Sequence, residues 1–344
     1  MYVGLSGGVD SSVSAALLKE QGYKVVGVYM KNWSRDLPGM PCPWKDDYLD
    51  AKRVAVQLGI DFKLYDFEKD YKLKVVDYML AEYRAGRTPN PDVMCNQEIK
   101  FKLFLDTALE QGADYVATGH YARLKKGKLL KAADPLKDQT YFLYRLPSKA
   151  LQKILFPLGD LKKSQVRELA GKYRLITAKK PESMGICFVG KVGIKDFLLQ
   201  YVAPKAGNII DQKGKIVGKH DGAIFYTIGQ RHGLNIGGGL PYYVSGKNMT
   251  TNEVQVTTNL QDQKLWSNKV SFTHPHWLDT EPRSASGLAV RVRHQGPLIP
   301  LKKLRAYGKA KWRADAQEAI RALAPGQSVV VYRGQQCLGG GIVV

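Results

Sequence analysis

Cysteine is scarce in this chain, and its four thiols, Cys42, Cys95, Cys187 and Cys337, form no CxxC pair and no Cys/His cluster at zinc-finger spacing. That pattern speaks against a structural metal, and four scattered cysteines in 344 residues do not make a disulfide framework. No apolar run approaches the roughly 20 residues that cross a bilayer, and no basic amphipathic helix dominates, so no membrane role is expected. No targeting segment is apparent ahead of the first strand-like run, and the expected compartment is a reducing cytoplasm. Acidic residues are also few: 31 Asp and Glu face 52 Lys and Arg, a net charge of +21. No repeat or low-complexity arm carries the excess, so folded surfaces must hold it, and a polyanion such as nucleic acid is the expected partner.

The length implies two or three domains. Short β-branched or apolar runs at Tyr2–Leu5, Val25–Met30, Phe62–Asp66 and Tyr115–Thr118 alternate with helical patterns at Ser11–Gln21, Tyr48–Leu58, Leu73–Arg84 and Gln97–Gln111. That alternation predicts an α/β domain with a parallel sheet and helices on both faces. Residues 139–200 read as mainly helical, including Lys163–Tyr173 and Gly193–Tyr201. Pro204–Asp221 reads as a turn-rich lead into a small β module. Alternating runs at Leu288–Val292, Lys309–Arg313 and Ser328–Tyr332 predict a terminal antiparallel β-barrel. The expected division is 1–203, 204–264 and 265–344.

Gly4-Leu5-Ser6-Gly7-Gly8-Val9-Asp10-Ser11-Ser12 leaves a predicted strand and opens a helix, where unpaired amides and the helix dipole favour a phosphate. Gly7 and Gly8 allow close backbone approach, and Ser6 and Ser11 add hydroxyls. The loop has no lysine, so it is not GxxxxGK[ST], and it is not GxGxxG either. A plain Gly/Ser helix cap is the bland reading, but strand, glycines, acid and helix fall in the order a phosphate loop needs. Two further stretches stand out. Thr88-Pro89-Asn90-Pro91-Asp92-Val93-Met94-Cys95-Asn96 sets a carboxylate three residues before a thiol, and Glu182–Gly190 sets Cys187 among apolar residues between Gly185 and Gly190. Taken singly, they read as a Pro-rich loop with Asn96 as a helix cap and as a buried strand cysteine.

SGGVDSS resembles the PP-loop of ATP pyrophosphatases. With MKNW (Met30–Trp33), GRTPNPDVMCNQEIKF (Gly86–Phe101), ATGHYAR (Ala117–Arg123), KDQTYFL (Lys137–Leu143), FPLGDLKKSQVR (Phe156–Arg167), GICFVG, YTIGQRHGLNIGGG (Tyr226–Gly239) and CLGGGIVV (Cys337–Val344), the chain is similar nearly end to end to the tRNA-specific 2-thiouridylase family. The resemblance implies a Rossmann-like PP-loop domain with a helical extension carrying Cys187, then a small central β domain and a C-terminal β-barrel that binds tRNA. It also implies that ATP is held by Gly4, Leu5, Ser6, Gly7, Gly8, Val9, Asp10 and Ser11, with Met30 and Gly119 bordering it and magnesium assisting with the phosphate charge. Cys95 would be the nucleophile, Cys187 the persulfide carrier and Asp92 a general acid/base. Asn90, Pro91 and Asp92 would border the target base. His120, Lys137, Asp138, Gln139, Arg293, His294 and Gln327 would meet the tRNA. Cys42 and Cys337 would be structural.

The implied reaction adenylates O2 of the wobble uridine and exchanges that oxygen for sulfur, which a sulfur carrier protein or cysteine desulfurase loads onto Cys187. The terminal sulfur may be passed either directly or as hydrosulfide released when Cys95 attacks the persulfide. Two other classes compete. A PP-loop ligase or amidotransferase acting on a small metabolite would leave the charge and both cysteine segments unused, and a non-catalytic RNA-binding protein would leave the intact loop unused. A sister tRNA thiolase would carry extra RNA-binding modules or an iron–sulfur CxxC.

Overall fold

Short runs buried on both faces, Val3, Val26 and Val28 among them, can only be strands of a sheet covered by helices on either side. The computed structural model describes residues 1–36, 41–182, 193–237, 239–308 and 310–344. It forms the first sheet from β1 (Tyr2–Gly4), β2 (Val26–Lys31), β3 (Asp61–Asp66), β4 (Val116–Ala117) and, after a hairpin of β5 (Ala122–Lys125) and β6 (Lys128–Lys131), β7 (Ile154–Leu155). The order is β3-β2-β1-β4-β7 and every pair is parallel. The order reverses direction between β1 and β4, which opens a ligand crevice beyond the carboxyl ends of those two strands.

Helix α1 (Val9–Glu20) follows β1, and α2 (Trp44–Leu58) ends at Gly59 in the left-handed conformation. Helix α3 (Glu68–Tyr71) continues through a π-helical turn, Lys72–Val76, into α4 (Asp77–Arg84). Helix α5 (Pro91–Met94) likewise continues through a π-helical run, Cys95–Leu103, into α6 (Phe104–Glu110).

The stretch expected to be mainly helical is instead mixed. It holds α7 (Thr140–Leu143), a 3₁₀ turn at Ala150–Gln152, strand β7, α8 (Lys163–Lys172) and α9 (Ile194–Leu198). A two-residue strand is too short to show a period. The turn-rich lead at 204–221 contains two strands, β8 (Gly207–Ile210) and β9 (Ile216–His220), which join β10 (Tyr243–Asn248) and β11 (Glu253–Thr257) in the order β10-β11-β8-β9.

The last sheet contains β12 (Trp266–Trp277), β13 (Leu288–Arg291), β14 (Ile299–Ala306), β15 (Lys311–Arg321), β16 (Ser328–Arg333) and β17 (Gln336–Val343). Its order β12-β15-β14-β13-β16-β17 closes on itself through β12–β17 pairing, giving a six-stranded antiparallel barrel. The glycine run in β17 permits the closure: a Cβ on Gly340 would lie 2.0 Å from Val329 O, and one on Gly341 would lie 2.4 Å from the Phe272 ring.

The barrel is locked to the N-terminal domain. The β5–β6 hairpin extends the barrel sheet, with Lys131 N–H donating to Gln335 O at 2.8 Å. Helix α7 plugs the barrel wall: Tyr141 OH lies 2.9 Å from Ser328 O, Tyr144 OH donates to Gly341 O at 3.2 Å, and Thr140 Oγ1 lies 3.2 Å from Tyr332 OH. All three tyrosines are fully buried. Asp138, just before α7, is 2 % exposed, accepts from Thr140 Oγ1 at 2.8 Å and pairs with Arg291 Nη1 at 2.9 Å. Among the described residues no helix is long and apolar enough to cross a membrane.

Asp138, one of the residues the resemblance sets against tRNA, has its side chain buried as a partner of the barrel. Asp138→Ala strands the Arg291 guanidinium in the interior and is expected to cost about 3–5 kcal/mol. The check is denaturant unfolding without RNA, in which Asp138→Ala lowers the midpoint and the double variant Asp138→Ala/Arg291→Met recovers part of the loss. An unchanged midpoint would show that the pair does not hold the domains together.

Candidate active site

The loop after β1 needs its glycines for different reasons. Gly7 has φ +74°, and a Cβ there would lie 2.4 Å from Asp47 O, so the protein itself demands glycine. Gly119, following β4, would bring a Cβ within 2.8 Å of Ser11 N, and Gly4 within 3.0 Å of Met30 Cε. Gly8 differs, because its backbone is extended and a Cβ would meet only Ser6 Oγ at 3.4 Å. Among the described residues nothing else fills that space at the amino end of α1, where an anion is favoured. Ser11 Oγ accepts from Ser6 N–H at 3.1 Å, Ser12 Oγ donates to Gly8 O at 2.8 Å, and buried Leu5 and Val9 anchor the loop. Gly4, Met30, Gly119 and the loop thus meet at the crevice where the strand order reverses.

Asp10, in the first turn of α1, is tightly held. Tyr121 OH donates to Oδ1 at 2.7 Å, and Lys163 Nζ reaches both carboxylate oxygens at 2.7 and 2.8 Å. Lys163 also pairs with Glu182 at 3.1 Å, and Lys137 with Glu182 at 2.6 Å. Burial, reinforced by Asp10, raises the Tyr121 phenol far above its ordinary range, and the bond from Lys137 heads the causes that hold the Glu182 carboxyl low. The loop has no lysine of its own, and the start of α8 supplies one. Lys163 stands in a quoted motif, FPLGDLKKSQVR, yet received no role from the sequence; the signal was the missing lysine, which required a cation from elsewhere.

On the other arm, Asn90 caps α5, its Oδ1 accepting from Val93 N–H at 3.3 Å, and Pro91 takes the first helical position. The cap is therefore Asn90 and not Asn96, which lies inside the π-helical run with its Nδ2 donating to Phe142 O at 3.3 Å. Asp92 precedes Cys95 by one turn. Burial raises the Asp92 carboxyl above the usual range, with Lys100 pulling the other way, and Cys95 is 3 % exposed. The approach to this helix is pinned by other domains. Thr88 N–H donates to Pro325 O at 2.7 Å, Gln327 Nε2 to Thr88 O at 2.9 Å, and Thr88 Oγ1 lies 3.0 Å from Thr227 Oγ1. Cys187 lies outside the described residues.

The remaining candidates are engaged in contacts within the protein. His120 is 8 % exposed, its Nδ1 is 2.7 Å from Thr118 Oγ1, and its ring packs against Phe101 and Phe156. Burial holds its pKa well below the ordinary range, so the ring is neutral. Gln139 Oε1 accepts from Tyr121 N–H at 2.9 Å, and Arg293 Nη2 donates to Arg321 O at 2.6 Å. The His294 ring is 4.4 Å from that of Phe142, and burial lowers its pKa. Cys337 is 1 % exposed and Cys42 half-buried. Among the described residues no group of three His, Cys, Asp or Glu is placed to hold a metal ion. The loop's carboxylate, Asp10, is committed to Lys163, so these residues form no magnesium cage and no step below is assigned to one.

Three family models match in succession: the tRNA methyl transferase HUP domain over residues 1–191, the tRNA methyl transferase PRC-barrel domain over 195–258 and the aminomethyltransferase beta-barrel domain over 267–343. The tRNA-specific 2-thiouridylase MnmA of Enterococcus faecalis is 46% identical over 353 residues, covering 100% of this chain and 94% of that protein. The protein of the same name from Bacillus subtilis is 45% identical over 352 residues with the same coverage. Among solved structures, NMN synthetase from Francisella tularensis is similar over 53% of this chain and 65% of that one, at 19% identity and a TM-score of 0.34. With identity at this level from end to end, the chain belongs to the family of tRNA-specific 2-thiouridylases.

Proposed function

We propose that this chain is an ATP-dependent tRNA-uridine 2-sulfurtransferase that adenylates O2 of the wobble uridine and replaces that oxygen with sulfur. The observation that carries the proposal is the presence in one family-typical chain of two half-sites: an anion cradle with an incoming lysine, and Cys95 three residues beyond Asp92 on one helical segment. The amino end of α1, Lys163 and Lys137 supply positive charge for the ATP phosphates. The uracil O2 attacks the α-phosphorus and pyrophosphate leaves. A sulfur carrier protein or cysteine desulfurase loads Cys187 as a persulfide. In the hydrosulfide route the Cys95 thiolate attacks the Cys187 sulfur, a Cys95–Cys187 bond forms, and the electron pair of the broken S–S bond leaves on hydrosulfide. Hydrosulfide adds to C2, and AMP departs with the former carbonyl oxygen. An external thiol then reduces the disulfide. Asp92, kept protonated to higher pH than an ordinary aspartate, serves as general acid/base at the base. The reacting uridine must leave its stack for its O2 and C2 to reach these groups.

Mass spectrometry of nucleosides from tRNA incubated with the protein, ATP and a persulfide donor tests the whole reading. The expected product has sulfur in place of oxygen, with AMP and pyrophosphate formed in equal amounts. An added methyl group, as the wording of the family models describes, would overturn it.

Lys163→Met and Gly8→Val are expected to abolish AMP and pyrophosphate release while tRNA binding persists. The first removes the incoming cation, and the second fills space that only a ligand needs. Normal AMP release from either variant would show that the phosphates sit elsewhere.

Cys187→Ser is expected to hold no transferable sulfur, whereas Cys95→Ser accepts the persulfide and stalls, and both still adenylate tRNA. Asp92→Asn is expected to lower kcat about 10²–10⁴-fold with little change in KM for tRNA. Single-turnover assays with a non-reducing peptide digest separate these steps, and thiolation at the wild-type rate by Cys187→Ser would refute the carrier assignment.

A further inference from the structure

Two carboxylates lie against the cations beside the phosphate loop, and they are held differently. Asp10 belongs to the first turn of α1, and Tyr121 OH grips it in addition to Lys163. Glu182 has no such backing. Its Oε2 accepts from Lys137 Nζ at 2.6 Å and its Oε1 lies 3.1 Å from Lys163 Nζ, and among the described residues its carboxylate has no other hydrogen-bond or ion-pair partner. Lys137 Nζ in turn has no ion-pair partner among the described residues except Glu182. The chain that delivers Glu182 is pinned just upstream: Arg167 Nη1 donates to Ala178 O at 2.7 Å and to Lys180 O at 2.9 Å, and Lys180 Nζ reaches Asp47 and Asp50 at 2.8 and 2.7 Å. The Glu182 side chain is 39% exposed and that of Lys137 31%, so their pair opens on solvent, where screening leaves an ion pair little net stability. One carboxylate with an oxygen on each of two ammonium groups is the arrangement a phosphate makes with the same two groups.

We propose that the Glu182 carboxylate and the phosphates of ATP compete for Lys137 and Lys163, so that Glu182 yields both lysines as ATP binds and retakes them as pyrophosphate leaves. The proposal rests on the reading above that these lysines face the ATP phosphates. Neither lysine gives its full charge to a phosphate while a carboxylate lies against it, so the apparent affinity falls with the fraction of molecules in which Glu182 has moved away. A carboxylate in place about nine-tenths of the time weakens phosphate binding about tenfold. Asp10 is no such competitor, because Tyr121 and its own place on α1 keep it where it is. ATP and pyrophosphate are weakened by the same factor. For ATP this lowers affinity alone, whereas for pyrophosphate it favours the departure of a product whose charge would otherwise keep it on the same cations. A carboxylate that served instead to aim the two lysines at phosphate would act in the opposite direction, and its removal would weaken binding.

The test is titration calorimetry of the full chain with pyrophosphate, with α,β-methylene ATP, which has no cleavable bridge between its first two phosphorus atoms, and with adenosine. The proteins compared are the wild type, Glu182→Gln, Lys163→Met and Asp160→Asn, the last removing a negative charge from an exposed residue just ahead of α8. Glu182→Gln is expected to bind pyrophosphate and the ATP analogue about tenfold more tightly than the wild type, and adenosine, which has no phosphate to compete, equally well. Asp160→Asn is expected to match the wild type throughout. The gain in affinity is expected whether or not melting falls with the lost ion pairs, so its sign distinguishes competition from a structural effect of the substitution. Weaker or unchanged pyrophosphate binding by Glu182→Gln overturns the proposal, and so does an equal gain in Asp160→Asn, since the field of one charge would then account for it. Lys163→Met separates the two readings. If it binds pyrophosphate as the wild type does, the placement of the phosphates fails and the competition with it; if it loses pyrophosphate while Glu182→Gln matches the wild type, the placement stands and only the competition fails.

Discussion

The ion pair between Asp138 and Arg291 is the constraint on which the arrangement of the molecule turns. Asp138 is 2 % exposed and the Arg291 side chain 11%, so neither charge can be left unpaired without a large desolvation penalty. The pair therefore fixes the position of the barrel relative to the segment that follows the first sheet. The consequences run inward from it. The next residue, Gln139, holds the Tyr121 backbone, Tyr121 donates to Asp10, and Asp10 holds Lys163. The phosphate loop is thus braced by a hydrogen-bonded chain that begins at the barrel. On the other side, Gln327 and Pro325 of the barrel grip Thr88 at the start of the segment carrying Asp92 and Cys95. One docked barrel sets both half-sites.

Local chemistry was legible in the sequence, and tertiary pairing was not. The βαβ start, the phosphate turn and the Asp92–Cys95 spacing depend on residues within one turn of each other, so their types and order suffice. The closed barrel was readable from alternation. The β5–β6 hairpin escaped because its turn, Lys126-Gly127, has φ values of +51° and +72° but lacks the Asn-Gly or Asp-Gly signature of such turns. The burial of Asp138 and His120 was not legible for a more basic reason. Polar side chains default to the surface, and only the partners brought by folding, Arg291 for the one and Thr118 with two phenyl rings for the other, make burial affordable. Lys163 could be found only by asking which cation replaces the one the loop lacks.

The glycines separate structural need from ligand need. Gly7, Gly119 and Gly340 are enforced by protein atoms that a Cβ would strike at 2.4, 2.8 and 2.0 Å. Gly8 is not, and it lies at the amino end of a 12-residue helix. A glycine against backbone says how the fold closes, whereas Gly8 has room for a side chain at a helix amino end, where an anion is favoured.

The two half-sites are joined at the end of β4 by adjacent residues with opposite duties. Gly119 lies against Asp10 and Ser11, so the phosphate loop can come no closer than a missing Cβ allows. His120 turns the other way and packs on Phe101, a member of the π-helical run that begins at Cys95. Burial holds its pKa well below the ordinary range and Thr118 Oγ1 lies 2.7 Å from its Nδ1. It works as a spacer of fixed orientation. A π-helical run is strained relative to an α-helix and persists where packing over-determines it; here buried Ile99, Phe101 and Phe104 supply that packing. Cys95 opens this widened run, and the His120 ring packs between the run and the end of β4. The loop after β1 and the helix that carries Cys95 are therefore connected through the end of a strand, not through a flexible linker.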